Sequence, residues 1–179
     1  MTSSTFILKL LALTREIVIT CTFLALVYLR SMHMVYFTVS AIASTLVAKA
    51  LKNVIKQPRP VPVGGMKHVK ESYGMPSSHS TAISFFTSYL TCVVLVSPTI
   101  PYKYLLLIAF YCFCFSVVWS RVHLQHHTKA QVTVGTILGI ILAISSFALW
   151  TCNVSKHLPL VIMQKVDMLK DMLQDERCN

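Results

Sequence analysis

Long apolar runs alternate with short polar clusters along the chain, and the alternation itself predicts an architecture. Phe6 to Leu13 and Ile17 to Leu29 are apolar, broken by Thr14-Arg15-Glu16. They read either as one long tilted helix or as an interfacial helix followed by a short span, and together give the first membrane helix. The end of this stretch, Leu26-Val27-Tyr28-Leu29-Arg30, offers no convincing cleavage site for a signal peptide. Met34 to Leu51 predicts a second span, rich in Ala, Val, Ser and Thr that let helices approach closely. It runs into Lys52-Asn53-Val54-Ile55-Lys56-Gln57-Pro58-Arg59-Pro60, where two prolines stop the helix.

A loop with Pro62, Gly64-Gly65 and Gly74 as punctuation leads to Tyr73-Gly74-Met75-Pro76-Ser77-Ser78-His79-Ser80. It is longer than a simple connection needs, which favours a functional role. Ser78 to Val96 predicts the third span and Tyr102 to Trp119 the fourth, with Pro98 and Pro101 bracketing the return between them. A polar loop from Ser120 to Lys129 precedes a fifth span from about Ala130 to Thr151, in which Gly135 and Gly139 offer a small-residue packing face. After Pro159, Ile162, Val166, Leu169 and Leu173 recur at helical spacing beside charges, predicting an amphipathic helix on the membrane surface. Residues 1–155 thus form one membrane-embedded domain and residues 156–179 a tail, with no internal repeat. Counting crossings gives the organising result. The second span ends, the third begins and the fourth ends on one side of the membrane, so the three polar clusters meet there.

Composition supports this reading. Of 179 residues, 55% are hydrophobic and only 12% charged, against about a quarter charged in soluble domains. The fold class is therefore all-α, an integral membrane helical bundle of about five spans plus an amphipathic C-terminal helix. A net charge of +10 would suggest nucleic acid in a soluble protein. Here the bases alternate with spans, so the expected partners are the membrane and a phosphate-bearing substrate, with no nucleic acid. Between Ile17 and Val166 the only acid is Glu71, which removes chemistry built on paired carboxylates, Mg²⁺ cages or aspartyl nucleophiles. The six cysteines lie mainly inside apolar runs without CxxC spacing and read as small hydrophobes.

Each cluster carries candidate chemistry beside a plainer reading. Ser77 and Ser78 open a helix whose unpaired amides and dipole suit a phosphate oxygen, with His79 directly at that site; a serine there also simply caps a helix. Lys52 supplies a point charge and Arg59 a bidentate fork for phosphate, although bases at an interface also snorkel. In the third cluster Arg121 is followed by His127, and Gln131 lies one helical turn further, so its carbonyl can accept from one ring nitrogen and leave the other to attack. His123 and His126 take outer roles.

Lys52-x6-Arg59-Pro60, Pro76-Ser77-Ser78-His79 and Ser120-Arg121-x5-His127 together resemble the three-part signature of the type 2 phosphatidic acid phosphatase superfamily. The wording around Tyr73 to Ser80 and from Ser120 to Val132 looks most like its dolichyl diphosphatase branch. The resemblance implies hydrolysis of a polyprenyl (dolichyl) diphosphate, with His127 as nucleophile forming a phosphohistidine and His79 protonating the leaving group. Lys52, Arg59, Ser77, Ser78 and Arg121 would bind phosphate, with neither cofactor nor metal. It also implies an endoplasmic reticulum membrane protein with a lumenal site. A positive-inside count opposes that orientation, but the substrate accounts for several of the bases. One position departs from the wider superfamily: Gln131 stands where an Asp is usual, and an amide stabilises an imidazolium less than a carboxylate does. Three other readings remain: phosphatase of another lipid phosphate, a lipid-binding relative without turnover, and a di-iron enzyme using His123-Leu124-Gln125-His126-His127. The last lacks the further histidine boxes such a site needs.

Overall fold

The computed structural model describes residues 14–60, 73–98 and 100–154. They form helices α1 (Thr14–Leu29), α2 (Met32–Ile55), α3 (Ser78–Val96), α4 (Lys103–His123) and α5 (Lys129–Leu149), closed by a short π turn at Trp150–Val154. Among the described residues, four helices are long and apolar enough to cross a membrane: α2, α3, α4 and α5 with its π extension. The fifth expected span is represented by α1, whose apolar part, Val18–Leu29, is shorter. Residues 6–13 of that expected helix, the loop at 61–72 and the amphipathic tail lie outside the described residues.

Local chemistry sets the helix ends. Ser31 is an extended N-cap whose hydroxyl accepts from the Met34 amide at the start of α2. At its other end the helix stops at Ile55, and Lys56 takes a left-handed conformation with its amide on the Lys52 carbonyl. Pro58 restricts only the residue before it, Gln57, so Asn53, Val54 and Ile55 stay helical. The span is therefore longer than the apolar run to Leu51, and Lys52 becomes a buried side chain in the last turn. Similarly α4 continues past Trp119 to His123, because nothing in Ser120-Arg121-Val122-His123 breaks a helix, and Arg121 is buried within it.

The bundle is built around α3, which packs most extensively on α5 and also touches α2 and α4. Gly135 and Gly139 make the close approach possible. A Cβ at Gly135 would lie 2.7 Å from the Ser77 carbonyl, and one at Gly139 would strike that of Thr81. Phe37, Ala41, Phe85, Tyr89 and Ala143 form the buried core. Outward faces carry Val39, Ile42 and Leu46 on α2, Leu105, Ile108 and Phe115 on α4, and Ile137, Ile141 and Ile144 on α5. Such apolar exteriors around internally bonded backbones are what a lipid environment requires.

Candidate active site

The end of α2, the start of α3 and the α4–α5 turn meet at one end of the bundle. Ser77 begins α3 as an extended N-cap, its hydroxyl accepting from the Ser80 amide and, at 3.0 Å, from the Ser80 hydroxyl. Its own amide donates to the Gln131 carbonyl at 3.1 Å, so the second cluster is fastened directly to the first turn of α5. Ser78 and His79 follow as the first helical residues, both half-buried, in the turn whose amides have no intrahelical acceptor.

The turn after α4 folds back on Arg121, whose carbonyl accepts from the amides of His126 at 3.1 Å and His127 at 3.3 Å. Gln125 sits at a positive φ of 54° to make that reversal. Thr128 then caps α5 in a capping box: its hydroxyl accepts from the Gln131 amide, and the Gln131 side chain accepts in return from the Thr128 amide at 3.2 Å. The same Gln131 Oε1 lies 3.2 Å from His127 Nδ1. Its Nε2 donates to the Pro58 carbonyl at 2.9 Å and to Gln57 Oε1 at 3.3 Å.

These partners fix the His127 tautomer. The Thr128 amide only donates and the Pro58 carbonyl only accepts, so the Gln131 amide has one possible orientation, with its oxygen toward His127. Nδ1 therefore carries the proton, and the lone pair is on Nε2. His127 is only 4% exposed. Burial, reinforced by the charges of Arg59 and Lys52 and opposed by the hydrogen bonds of Gln131 and Gly74, lowers its pKa to about 4. At neutral pH the ring is neutral, in a field of positive charge.

The family model of the PAP2 superfamily matches residues 33–155. The chain belongs to the PAP2 superfamily. Human dolichyldiphosphatase 1 is 33% identical over 131 residues, covering 68% of this chain and 55% of the relative. Dolichyldiphosphatase 1 of Rhinolophus ferrumequinum is 30% identical over 151 residues, covering 79% of this chain and 63% of the relative. The chain thus spans less than two thirds of the length of these relatives. A crystal structure of a transmembrane PAP2-type phosphatidylglycerolphosphate phosphatase from Bacillus subtilis shares the fold, with a TM-score of 0.62 and 21% identity over 79% of this chain and 72% of that one.

Of the residues singled out in the sequence, His127 and Gln131 are in direct contact, and Lys52 and Arg59 are near enough for their charges to act on the ring. Arg121 holds the His127 loop by its backbone. Ser77 differs from the expectation in detail: it is fully buried, with its amide on Gln131 and its hydroxyl in the cap. The outer role of His123 is concrete, since its exposed ring stacks on Trp119 at 4.6 Å. His123 and His127 thus occupy different surroundings, and among the described residues no three His, Cys, Asp or Glu side chains converge.

Sequence reasoning missed three contributors to this PAP2 site. Thr128-x-x-Gln131 is a legible capping-box spacing and shows that Gln131 has a second duty. Gly74 leaves room for Gln131, because a Cβ there would strike that side chain. Gln57 receives both the Gly74 amide on its carbonyl at 2.7 Å and the Gln131 amide on its side chain; only its place before Pro58 marks it in the sequence.

Proposed function

We propose that this protein hydrolyses a polyprenyl (dolichyl) diphosphate to the monophosphate and inorganic phosphate through a phosphohistidine at His127. The observation that carries the reading is the buried, neutral His127, with its tautomer set by Gln131, beside Lys52 and Arg59. Nε2 attacks the terminal phosphorus, the anhydride P–O bond breaks, and the lipid monophosphate leaves with the bonding pair while His79 supplies a proton. Water then attacks the phosphohistidine, returning His127 and releasing phosphate. Lys52, Arg59, Arg121 and Ser78 hold the phosphoryl oxygens, since phosphoryl transfer depends on in-line positioning and concentrated positive charge; Ser77 anchors the start of that cradle.

A diphosphate suits a histidine oriented by an amide. Its leaving group is a phosphate whose second pKa is about 6, far easier to expel than the alkoxide of a phosphate monoester, so less push from the nucleophile is needed. The similarity to dolichyldiphosphatases supports the same substrate class. Phosphate release by the purified protein from dolichyl diphosphate, shorter prenyl diphosphates, phosphatidic acid and a sphingoid phosphate tests the reading. Release fastest from a polyprenyl diphosphate supports it. Binding without release would make the protein a non-catalytic relative, and activity lost to a chelator and restored by iron would favour the histidine-box alternative.

In this reading the protein is a multi-pass protein of the endoplasmic reticulum membrane with a lumenal site. Asn153, in a glycosylation sequon at the far end of α5 from Lys129, would then be cytosolic and unmodified. A glycan on Asn153 would reverse the orientation.

A further inference from the structure

We infer that Gln57 is a positioning residue of the reaction: its side chain, paired with that of Gln131, locks His127 in the attacking tautomer and ties it to the segment carrying Arg59. The inference rests on the hydrolase reading above and concerns a residue at one of the unspecified positions between Lys52 and Arg59. Gln131 is completely buried, and every hydrogen-bonding capacity of its amide is used. Oε1 accepts from His127 Nδ1 and the Thr128 amide, and Nε2 donates to the Pro58 carbonyl and Gln57 Oε1. One primary amide thus joins the nucleophile to the residue immediately before Arg59. Its backbone carbonyl joins both to Ser77 at the start of α3.

Gln57 completes that arrangement. Two acceptors, Pro58 O and Gln57 Oε1, face position 131. The Pro58 carbonyl can only accept, so a carboxylate at 131 would meet it lone pair to lone pair, whereas an amide donates to it and has a second proton for Gln57 Oε1. Gln57 is itself held at its backbone by the Gly74 amide, and Gly74 is the residue that makes room for Gln131. Without Gln57 Oε1, one Nε2 proton loses its acceptor in a buried site, and the amide that sets the His127 ring gains freedom to tilt.

The test begins with wild-type hydrolysis of a polyprenyl diphosphate in detergent; no turnover on any lipid phosphate overturns the hydrolase reading before a variant is made. Gln57→Leu is then expected to lower kcat about 10-fold with little change in KM, while Gln57→Glu, which keeps the acceptor, retains kcat within about 3-fold. Once Gln131→Leu has removed the amide, adding Gln57→Leu should cost nothing further, because both act through one contact. Additive losses, or wild-type kcat in Gln57→Leu, would overturn the pairing. An activity-independent arm follows modification of His127 by diethyl pyrocarbonate, which reacts with the neutral ring. The Gln57→Glu charge should move the midpoint of that reaction up by roughly one unit. An unmoved midpoint overturns the inference even if Gln57→Leu fails to fold.

Discussion

At one end of the bundle, the segment after α2, the start of α3 and the α4–α5 turn are joined by hydrogen bonds that converge on Gln131 of α5; further along, α2, α3 and α5 meet through aromatic rings. There Phe37 lies 4.9 Å from Tyr89 and 6.2 Å from Phe85, and Trp150 stacks on His33 at 4.6 Å. The ring end has polar contacts too, His33 with Tyr89 at 2.9 Å and Tyr36 with the Ser146 carbonyl at 3.0 Å. These link pairs of side chains or helices, whereas Gln131 links three segments at once. Hydrogen bonds to a planar amide fix direction as well as distance, while ring packing tolerates several arrangements. The difference teaches where accuracy is needed: in the proposed mechanism the site end must hold a lone pair in line with phosphorus, and the ring end must only keep helices together.

Substitutions at the two ends should separate accordingly. His127→Ala should have the largest effect, a loss of roughly 10⁴-fold or more in kcat with the fold intact, since the proposed mechanism assigns the nucleophile to this ring. Steady-state phosphate release together with a melting curve checks both halves. His79→Ala comes next, with about 10² to 10⁴-fold expected from loss of an acid catalyst. The loss should be larger on a phosphate monoester than on a diphosphate, and equal losses would argue against a leaving-group role.

Acidification gives a subtler separation. Because burial and the nearby cations lower His127 to about 4, the ring stays neutral at higher pH and loses its lone pair as pH falls through that value. In the free enzyme kcat/KM should therefore decline on the acid side with an apparent pKa near 4. A limb near the ordinary histidine value that is separate from the substrate phosphate's own ionisation, at about 6, would show that the ring is not buried as described. Smallest of all is Tyr89→Phe at the ring end: loss of the His33 contact should cost about 1 kcal/mol of stability and leave kcat within about 2-fold. A large kcat loss from this substitution would erase the distinction between the ends.

Much of this was legible in the sequence. The apolar runs mark four of the long helices, crossing parity brings the three clusters to one side, and the i, i+4 spacing pairs His127 with Gln131. The ends of α2 and α4 were less legible because hydropathy falls before helicity does: Lys52 and Arg121 are polar yet lie inside helices. Ser77 read as a phosphate ligand because the cap and the ligand use the same residue type, and only the tertiary contact with Gln131 shows where its amide goes. Gln57 carried no periodic signal at all. Its partner is 74 positions away, and a lone glutamine before a proline does not announce such a contact.

The central claim is that His127 carries the phosphoryl group. A purified sample mixed with polyprenyl diphosphate labelled at its terminal phosphate, quenched at alkaline pH within a turnover and digested, locates the label directly. The account predicts an acid-labile, base-stable phosphohistidine on the peptide containing His127, absent from His127→Ala. Turnover with label on another residue, or undiminished turnover in His127→Ala, would contradict it.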